Sequence, residues 1–539
     1  MRDVIVVGAG GAGLSAAIAA AERGAEVLVV AKTFPTQSQT CMAQGGINAV
    51  LKQNGDSINA HIEDTLKSGA GLAEPEIVKY VCEEAKNVIE WLDSIGTPFT
   101  RKKDEIAQRR LGGASKPRAC YAQDFTGLKI LHTLYDRALK LDIEFLTERF
   151  LLNVILDHNG ETAGITVLNK TSGEVEQILG KCVVLATGGF AKVYGKFSTN
   201  SHQATGDGIG AALRAGCKIS NMEFVQFHPT ALYSSSVLIS EAARGAGAKL
   251  INQKGERFVD ELATRDEVAR AIFKEMENGN EVFLDLTHLG EEFIEQNLPQ
   301  ERRLAVIYEK QDPIKTPLKI KPAAHYTMGG IDVDLRMRTS IKGLYAAGEC
   351  ADAKLHGANR LGGNSLLEVC ALGRKAGLEA ADEASAKEFP KNRQYEITKR
   401  DSAFIKALFT LPNKIDFVKK REFLGKILYS NAGVFRSESG LKGVLAELRQ
   451  TQKELSFMGL KDRSLRYNTE LFEFIEFGNM IEITEALLVG AINRTESRGS
   501  HFRVDFPDRN DRSFLAHSVI WKNDEGVICA EYRRVKEST

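Results

Sequence analysis

Val4-Ile5-Val6-Val7-Gly8-Ala9-Gly10-Gly11-Ala12-Gly13 is an apolar run that breaks into a G-x-G-x-x-G turn and continues as an Ala-rich segment from Leu14 to Arg23. Four consecutive apolar residues suit a buried parallel strand. The segment behind them suits a helix whose free N-terminal N–H groups face the turn. Gly8 and Gly10 let backbone approach a pyrophosphate, and Gly13 lets helix and strand pack closely. Gly24 closes the helix and Glu26 to Val30 reads as the next strand, so the motif sits in a β-α-β unit. A Rossmann-like dinucleotide site over Gly8, Ala9, Gly10, Gly11, Ala12 and Gly13 is the expectation. A nicotinamide site places an acid at the end of the second strand to hold the ribose 2′-OH. Here Ala31-Lys32-Thr33 fills that place, which points to FAD.

The 539 residues suffice for two to four domains. Lys plus Arg and Asp plus Glu balance at 71 each, and without a long basic block nothing suggests a nucleic-acid partner. Eight cysteines are scattered without a C-x-x-C pair, so they read as reduced thiols unable by spacing to hold an iron–sulfur cluster, and no metal site is expected. No run of about 18 apolar residues occurs, so the chain is not expected to cross a membrane by itself. Met1-Arg2 and the apolar residues behind them do not read as a signal peptide, because that stretch runs straight into the nucleotide turn.

The segment Lys32 to Asn48 is rich in small hydroxyl residues and closes on paired glycines, as suits a loop wrapping a flat ligand with main-chain contacts. It resembles the flavin-wrapping loop of the succinate dehydrogenase and fumarate reductase flavoprotein subunits, whose pattern runs Lys-x-aromatic-Pro-Thr-Arg-Ser-His-Thr and ends in Ala-Gln/Glu-Gly-Gly. The resemblance implies cofactor contacts from Lys32, Thr33, Ser38, Gln39, Thr40, Gln44, Gly45 and Gly46. Gln37 replaces the family's Arg, and Gln39 replaces the His that bonds covalently to the flavin 8α-methyl. An amide cannot act as that nucleophile, so non-covalent FAD is expected. On an extended backbone Cys41 would share a side with Gln39, about 6.5 Å further along, which makes a thioether there remote.

Further matches cover nearly the whole chain. Gln108 to Gly113 and Arg118 to Gly127 resemble the loops beside the substrate pocket, with Leu111 in place of an aromatic. Ala186-Thr187-Gly188, Asp207, Glu349, Arg360, Ser365 and Leu366 match cofactor-contacting positions. Phe224 to Thr230 resembles the hinge into a capping domain. His228, Ser240, Glu241, His325 and Arg360 match the substrate-binding set, with Ser240 replacing the usual Thr and keeping its hydroxyl. His356 to Glu368 combines His, Arg, Asn and several glycines, which packing alone does not explain. Taken alone, Glu241 and Arg244 are an i, i+3 helix pair; in the family that spacing serves a proton relay feeding Arg265. The implied fold is α/β: a Rossmann-like FAD-binding domain (1–226 and 333–385), an inserted α+β capping domain (227–332), a helical domain (386–495) and a small C-terminal domain (496–539).

The chemistry implied is hydride transfer at FAD N5 between succinate and fumarate. Arg360 would fork one carboxylate, and His228, His325 and Ser240 would complete the shell. Arg265 would be the catalytic proton donor, with Glu241 and Arg244 returning its proton. In the family the covalent flavin link favours succinate oxidation, so Gln39 leans this chain toward fumarate reduction. The resemblance also implies an iron–sulfur partner subunit and, through it, a membrane anchor and a quinone or other donor, hence a cytoplasmic place on the inner face of the cell membrane. L-Aspartate oxidase, with non-covalent FAD and a similar Pro-Ala-Ala-His-Tyr-Thr segment, is the nearest alternative. The loop Lys32 to Thr40 and the tail Arg503 to His517 fit it less well. A flavin-binding subunit without turnover is a more distant one.

Overall fold

In the computed structural model, which describes residues 1–52, 55–392 and 394–536, the opening run forms β1 (Arg2–Val7), α1 (Gly11–Glu22) and β2 (Val27–Val30). β1 pairs in parallel with β2 on one side and with Val175–Leu185 on the other. Glu144–Leu146 and Leu344–Ala346 extend the parallel sheet outward. Val4, Ile5 and Val6 are fully buried, which explains why the run carries no polar alternation. The first half of Val175–Leu185 pairs antiparallel with Thr162–Asn169, which in turn pairs with Arg149–Leu156.

α1 is built almost wholly of small buried residues. The long helix Asn364–Ala386 lies against it so closely that a Cβ on Gly377 would stand 2.1 Å from the Ala16 carbonyl oxygen. A Cβ on Gly13 would stand 1.8 Å from the Gly8 carbonyl oxygen, and Gly8 itself holds φ +112°. Strand, turn and helix therefore meet at backbone distance, and the turn has one shape. Pro75–Ser94 is a helix with Pro75 in its first turn, and Val78, Cys82, Ala85, Ile89 and Leu92 are buried on the face their spacing predicts.

The loop behind β2 is more tightly wound than an extended segment. Pro35–Gln37 and Gln39–Met42 are short 3-10 turns, closed in part by the Cys41 N–H donating to the Ser38 carbonyl at 3.1 Å. Residues two apart in such a turn diverge, so the shared side for Gln39 and Cys41 that an extended backbone would give is not realised.

Val225–Leu232, Leu318–Thr327, Val282–Asp285 and Lys249–Asn252 form a separate antiparallel sheet in that order. It has its own core, including Ile239, Leu250, Val268, Ile272, Leu284 and Ile320, which makes it a second lobe rather than a decorated loop. Downstream, Phe417–Asn431, Glu438–Glu454 and Thr469–Asn493 are helices, each opened by a side chain accepting a backbone N–H: Asp416, Ser437 and Asn468. The terminal hairpin Ala516–Lys522 and Ile528–Arg534 joins Ile219–Ser220, Gly330–Asp332 and Ala351–Asp352 in one sheet. The wholly buried Arg494 ties these parts together, donating to Glu223 at 2.8 Å, to Glu496 at 3.0 Å and to the Ala516 carbonyl at 2.7 Å. Among the described residues no helix is long and apolar enough to cross a membrane.

Candidate active site

One cleft of about 1640 Å³, open at its mouth, runs between the two lobes. Gly8 to Ala12, Lys32, Thr33, Ser38 to Thr40, Gln44 to Gly46, Ala186 to Gly188, Asp207, Glu349, Ser365 and Leu366 line one stretch of it. His228, Ser240, Glu241, Arg265, His325 and Arg360 line the stretch under the second lobe. Of the residues singled out from sequence, Gly13 and Arg244 stand behind the wall. Gly13 packs on Gly8, and Arg244 is buried behind Glu241. Cys41 is not on the wall either.

The loop from Lys32 to Gly46 is held from below. Arg109 donates to the Gln44 and Gly45 carbonyls, both at 2.8 Å, and so fixes the paired glycines. The Gln39 side-chain oxygen accepts the Ser201 N–H at 2.8 Å, and burial raises the Cys41 thiol above its ordinary value. Lys32 reaches Asp207 at 2.7 Å and Glu476 at 2.8 Å, 444 positions away in sequence. Burial would lower the ammonium pKa, but the two acids raise it above the ordinary value. Both Asp207 oxygens are thereby engaged, the second accepting from Asn479 at 2.9 Å.

The atoms of this stretch fit a flavin dinucleotide. Ser38 Oγ, Gln44 Oε1 and Asn200 Nδ2 are buried on the wall without a partner among the described residues. A Cβ on Gly188 would meet nothing within 4 Å, so the cleft is open above its backbone. Glu349 accepts from the Thr327 N–H at 3.0 Å, and burial pushes its carboxyl up to about 7.

Under the second lobe the side chains converge on Glu241. Its Oε2 accepts from Arg265 Nη2 at 2.6 Å and Nε at 3.1 Å, and its Oε1 accepts from Arg244 Nη2 at 3.3 Å. Burial would raise this carboxyl; Arg265, Arg244 and Arg360 together bring it below the ordinary value. Gln226 Oε1 accepts from Arg265 at 3.0 Å and from Arg360 at 3.2 Å, so one amide oxygen holds the two guanidiniums side by side. Arg360 also lies 4.3 Å from the Tyr326 ring centre, and burial followed by the nearby Arg265 lowers it to about 10. Its loop is pinned by Asn48, which donates to the Gly362 carbonyl at 2.7 Å and to Asn364 at 2.8 Å.

His228 and His325 face each other with ring centres 4.9 Å apart. Burial, then the neighbouring arginines, hold both well below the ordinary histidine value, so both are neutral. His228 Nδ1 accepts the Thr230 N–H at 3.2 Å, which leaves its proton on Nε2. Ser240 opens the short helix Glu241–Gly245, its Oγ accepting from the Ala242 N–H at 3.2 Å and meeting Glu301 Oε1 at 2.5 Å. The lobes are joined beside the site by Asn359 donating to Asp266 at 2.9 Å. Gln226, Glu301 and Glu476 carry no sequence signal that marks them. Gln226 reads as part of a hinge strand, and the two acids as ordinary helix faces.

A parallel dinucleotide sheet, a second lobe and an arginine-lined cleft between them define a two-lobed FAD-dependent oxidoreductase. Residues 3–366 match the FAD binding domain family and residues 421–539 the fumarate reductase flavoprotein C-terminal family. The 8-methylmenaquinol:fumarate reductase flavoprotein subunit of Wolinella succinogenes is 40% identical, the match covering 98% of this chain and 89% of that one. The succinate dehydrogenase flavoprotein subunit of Rickettsia bellii is 38% identical over 100% of this chain and 96% of its own. A solved Escherichia coli quinol fumarate reductase with a point mutation superposes with TM-score 0.95 at 35% identity, covering 100% of this chain and 97% of that chain. The chain belongs to the family of fumarate reductase and succinate dehydrogenase flavoprotein subunits.

The Lys32 cluster is a buried ion triad, and removing its one cation leaves two carboxylates facing each other out of water. Lys32→Met is expected to cost about 3 kcal/mol of stability, read by chemical denaturation of the apoprotein. An unchanged denaturation midpoint would mean that water reaches the cluster.

Proposed function

We propose that this chain is the catalytic flavoprotein subunit of an enzyme that interconverts fumarate and succinate, working mainly as a fumarate reductase. The observation that carries the reading is the shared Gln226 oxygen, which sets Arg265 and Arg360 together at the end of a dinucleotide cleft, with Glu241 and Arg244 behind them. FAD, when bound, supplies the hydride chemistry at its N5. Gly8 to Ala12, backed by Gly13, with Lys32, Thr33, Ser38 to Thr40, Gln44 to Gly46, Ala186 to Gly188, Asp207, Glu349, Ser365 and Leu366 would hold it. Attachment is non-covalent, because Gln39 offers an amide whose oxygen is already committed to Ser201.

Arg360 grips one substrate carboxylate, with the buried His228 contributing its Nε2–H and His325 and Ser240 completing the shell. This cationic grip also draws electrons from the double bond. Arg265 donates the proton that the second alkene carbon needs. A guanidinium is an effective acid only if its proton is returned at once, and Glu241, 2.6 Å away, is placed to return it with Arg244 behind. Electrons would pass to or from an iron–sulfur partner subunit, and through it to a membrane anchor and a quinone or other carrier. That assembly would place the chain on the cytoplasmic face of the membrane.

Arg265→Ala is expected to lower fumarate turnover by at least about 10³-fold while the protein stays yellow. Turnover near that of the unmodified enzyme removes Arg265 from the chemistry. Acid precipitation is expected to leave the flavin in the supernatant. Flavin fixed in the pellet would contradict the non-covalent reading.

A further inference from the structure

Ser240 Oγ has two lone pairs and one proton, and the protonation state of Glu301 decides where that proton goes. One lone pair takes the Ala242 N–H at 3.2 Å. The remaining contact is Glu301 Oε1 at 2.5 Å, while the Ser240 N–H reaches both Glu301 oxygens at 3.1 and 3.2 Å. Glu301 is 1% exposed and sits in the first turn of the helix Pro299–Glu309. That helix N-terminus is already capped by Asp124, whose Oδ2 accepts the Gln300 N–H at 2.7 Å and the Glu301 N–H at 3.3 Å. The Glu301 side chain is therefore free to turn to Ser240, and among the described residues no arginine or lysine is bonded to it.

We propose that Glu301 is a positioning residue for substrate: as a neutral carboxylic acid it donates its O–H to Ser240 Oγ, and the Ser240 hydroxyl proton then points into the cleft toward a substrate carboxylate. The inference rests on the reading of the cleft as a dicarboxylate site. When Glu301 is ionised the roles reverse. Ser240 donates to Glu301, and an oxygen lone pair faces the incoming carboxylate, so a charge-assisted hydrogen bond becomes a repulsion. The charged groups that face Glu301 are Asp124 and Arg109. Burial pushes the Glu301 carboxyl up to about 8; the Ser240 hydrogen bonds and Arg109 oppose the rise, and Asp124 adds to it. The neutral donor form thus prevails below about pH 8 and is lost above it.

The test is the fumarate KM of the holoenzyme with a reduced viologen as donor, followed from about pH 7 to about pH 9. The unmodified enzyme is expected to show KM rising toward about tenfold over that range, the loss of one charge-assisted hydrogen bond. Glu301→Gln, whose amide N–H donates to Ser240 at every pH, is expected to hold the low-pH KM throughout. Ser240→Ala is expected to give a raised KM that does not change with pH, and Ser240→Thr to keep the rise. A wild-type KM that stays flat, or a rise that persists in either Glu301→Gln or Ser240→Ala, overturns the proposal. Absence of fumarate turnover in the unmodified holoenzyme would overturn the functional reading as well, and so is distinguishable.

Discussion

Three guanidinium groups, those of Arg244, Arg265 and Arg360, stand around a single carboxylate, Glu241, with all four side chains almost wholly buried. Burying like charges together is costly, and one anion cannot neutralise three cations. The fold lessens the cost with neutral acceptors: the Gln226 oxygen for Arg265 and Arg360, the Glu261 carbonyl for Arg244 at 2.5 Å, and the Tyr326 ring under Arg360. Both histidines are kept neutral by the same burial, so they add donors without adding charge. Counting these four groups alone, three cations against one anion leave two positive charges, the number a dicarboxylate dianion would match; Glu261 near Arg244 and Glu349 near Arg360 lessen that surplus.

That balance depends on two lobes meeting. Arg265 starts a helix of the second lobe, whereas Arg360 sits in a loop between the flavin-side strands and the helix Asn364–Ala386. Gln226, on a strand that passes from one lobe to the other, touches both, and Asn359 crosses to Asp266 beside it. Separating the lobes would break these bonds and disperse the cations. The same logic holds at the other end of the cleft, where Lys32, just past β2, joins Asp207 to Glu476 of the long helix Thr469–Asn493. Cofactor stretch and helical region are thus coupled through one ammonium group.

The dinucleotide unit was legible because its signals are local: four apolar residues, glycines at fixed offsets and a small-residue helix all lie within about twenty positions. The arginine and histidine positions were legible through the resemblance, since their residue types stand in recognisable short segments. What joins them was not. Gln226 looks like any polar residue in a hinge, and its role exists only once residues 265 and 360 are folded beside it. Glu301 and Glu476 stand out in no local pattern, because burial of a helix face depends on what packs there. The loop behind Lys32 was expected to extend, yet Pro35 and the run of hydroxyls wind it into two short turns. The terminal hairpin pairs with residues about 300 positions earlier, a register that no local pattern encodes.

The charge balance in the arginine cluster can be measured directly by titrating the flavin-loaded protein with succinate and with monomethyl succinate, following the flavin absorbance. Two bound carboxylates predict that succinate binds at least about fifty-fold more tightly, since masking one of them removes a charge-assisted hydrogen bond and leaves a buried cation unmatched. Equal affinity for the two acids would contradict a cluster built for a dianion.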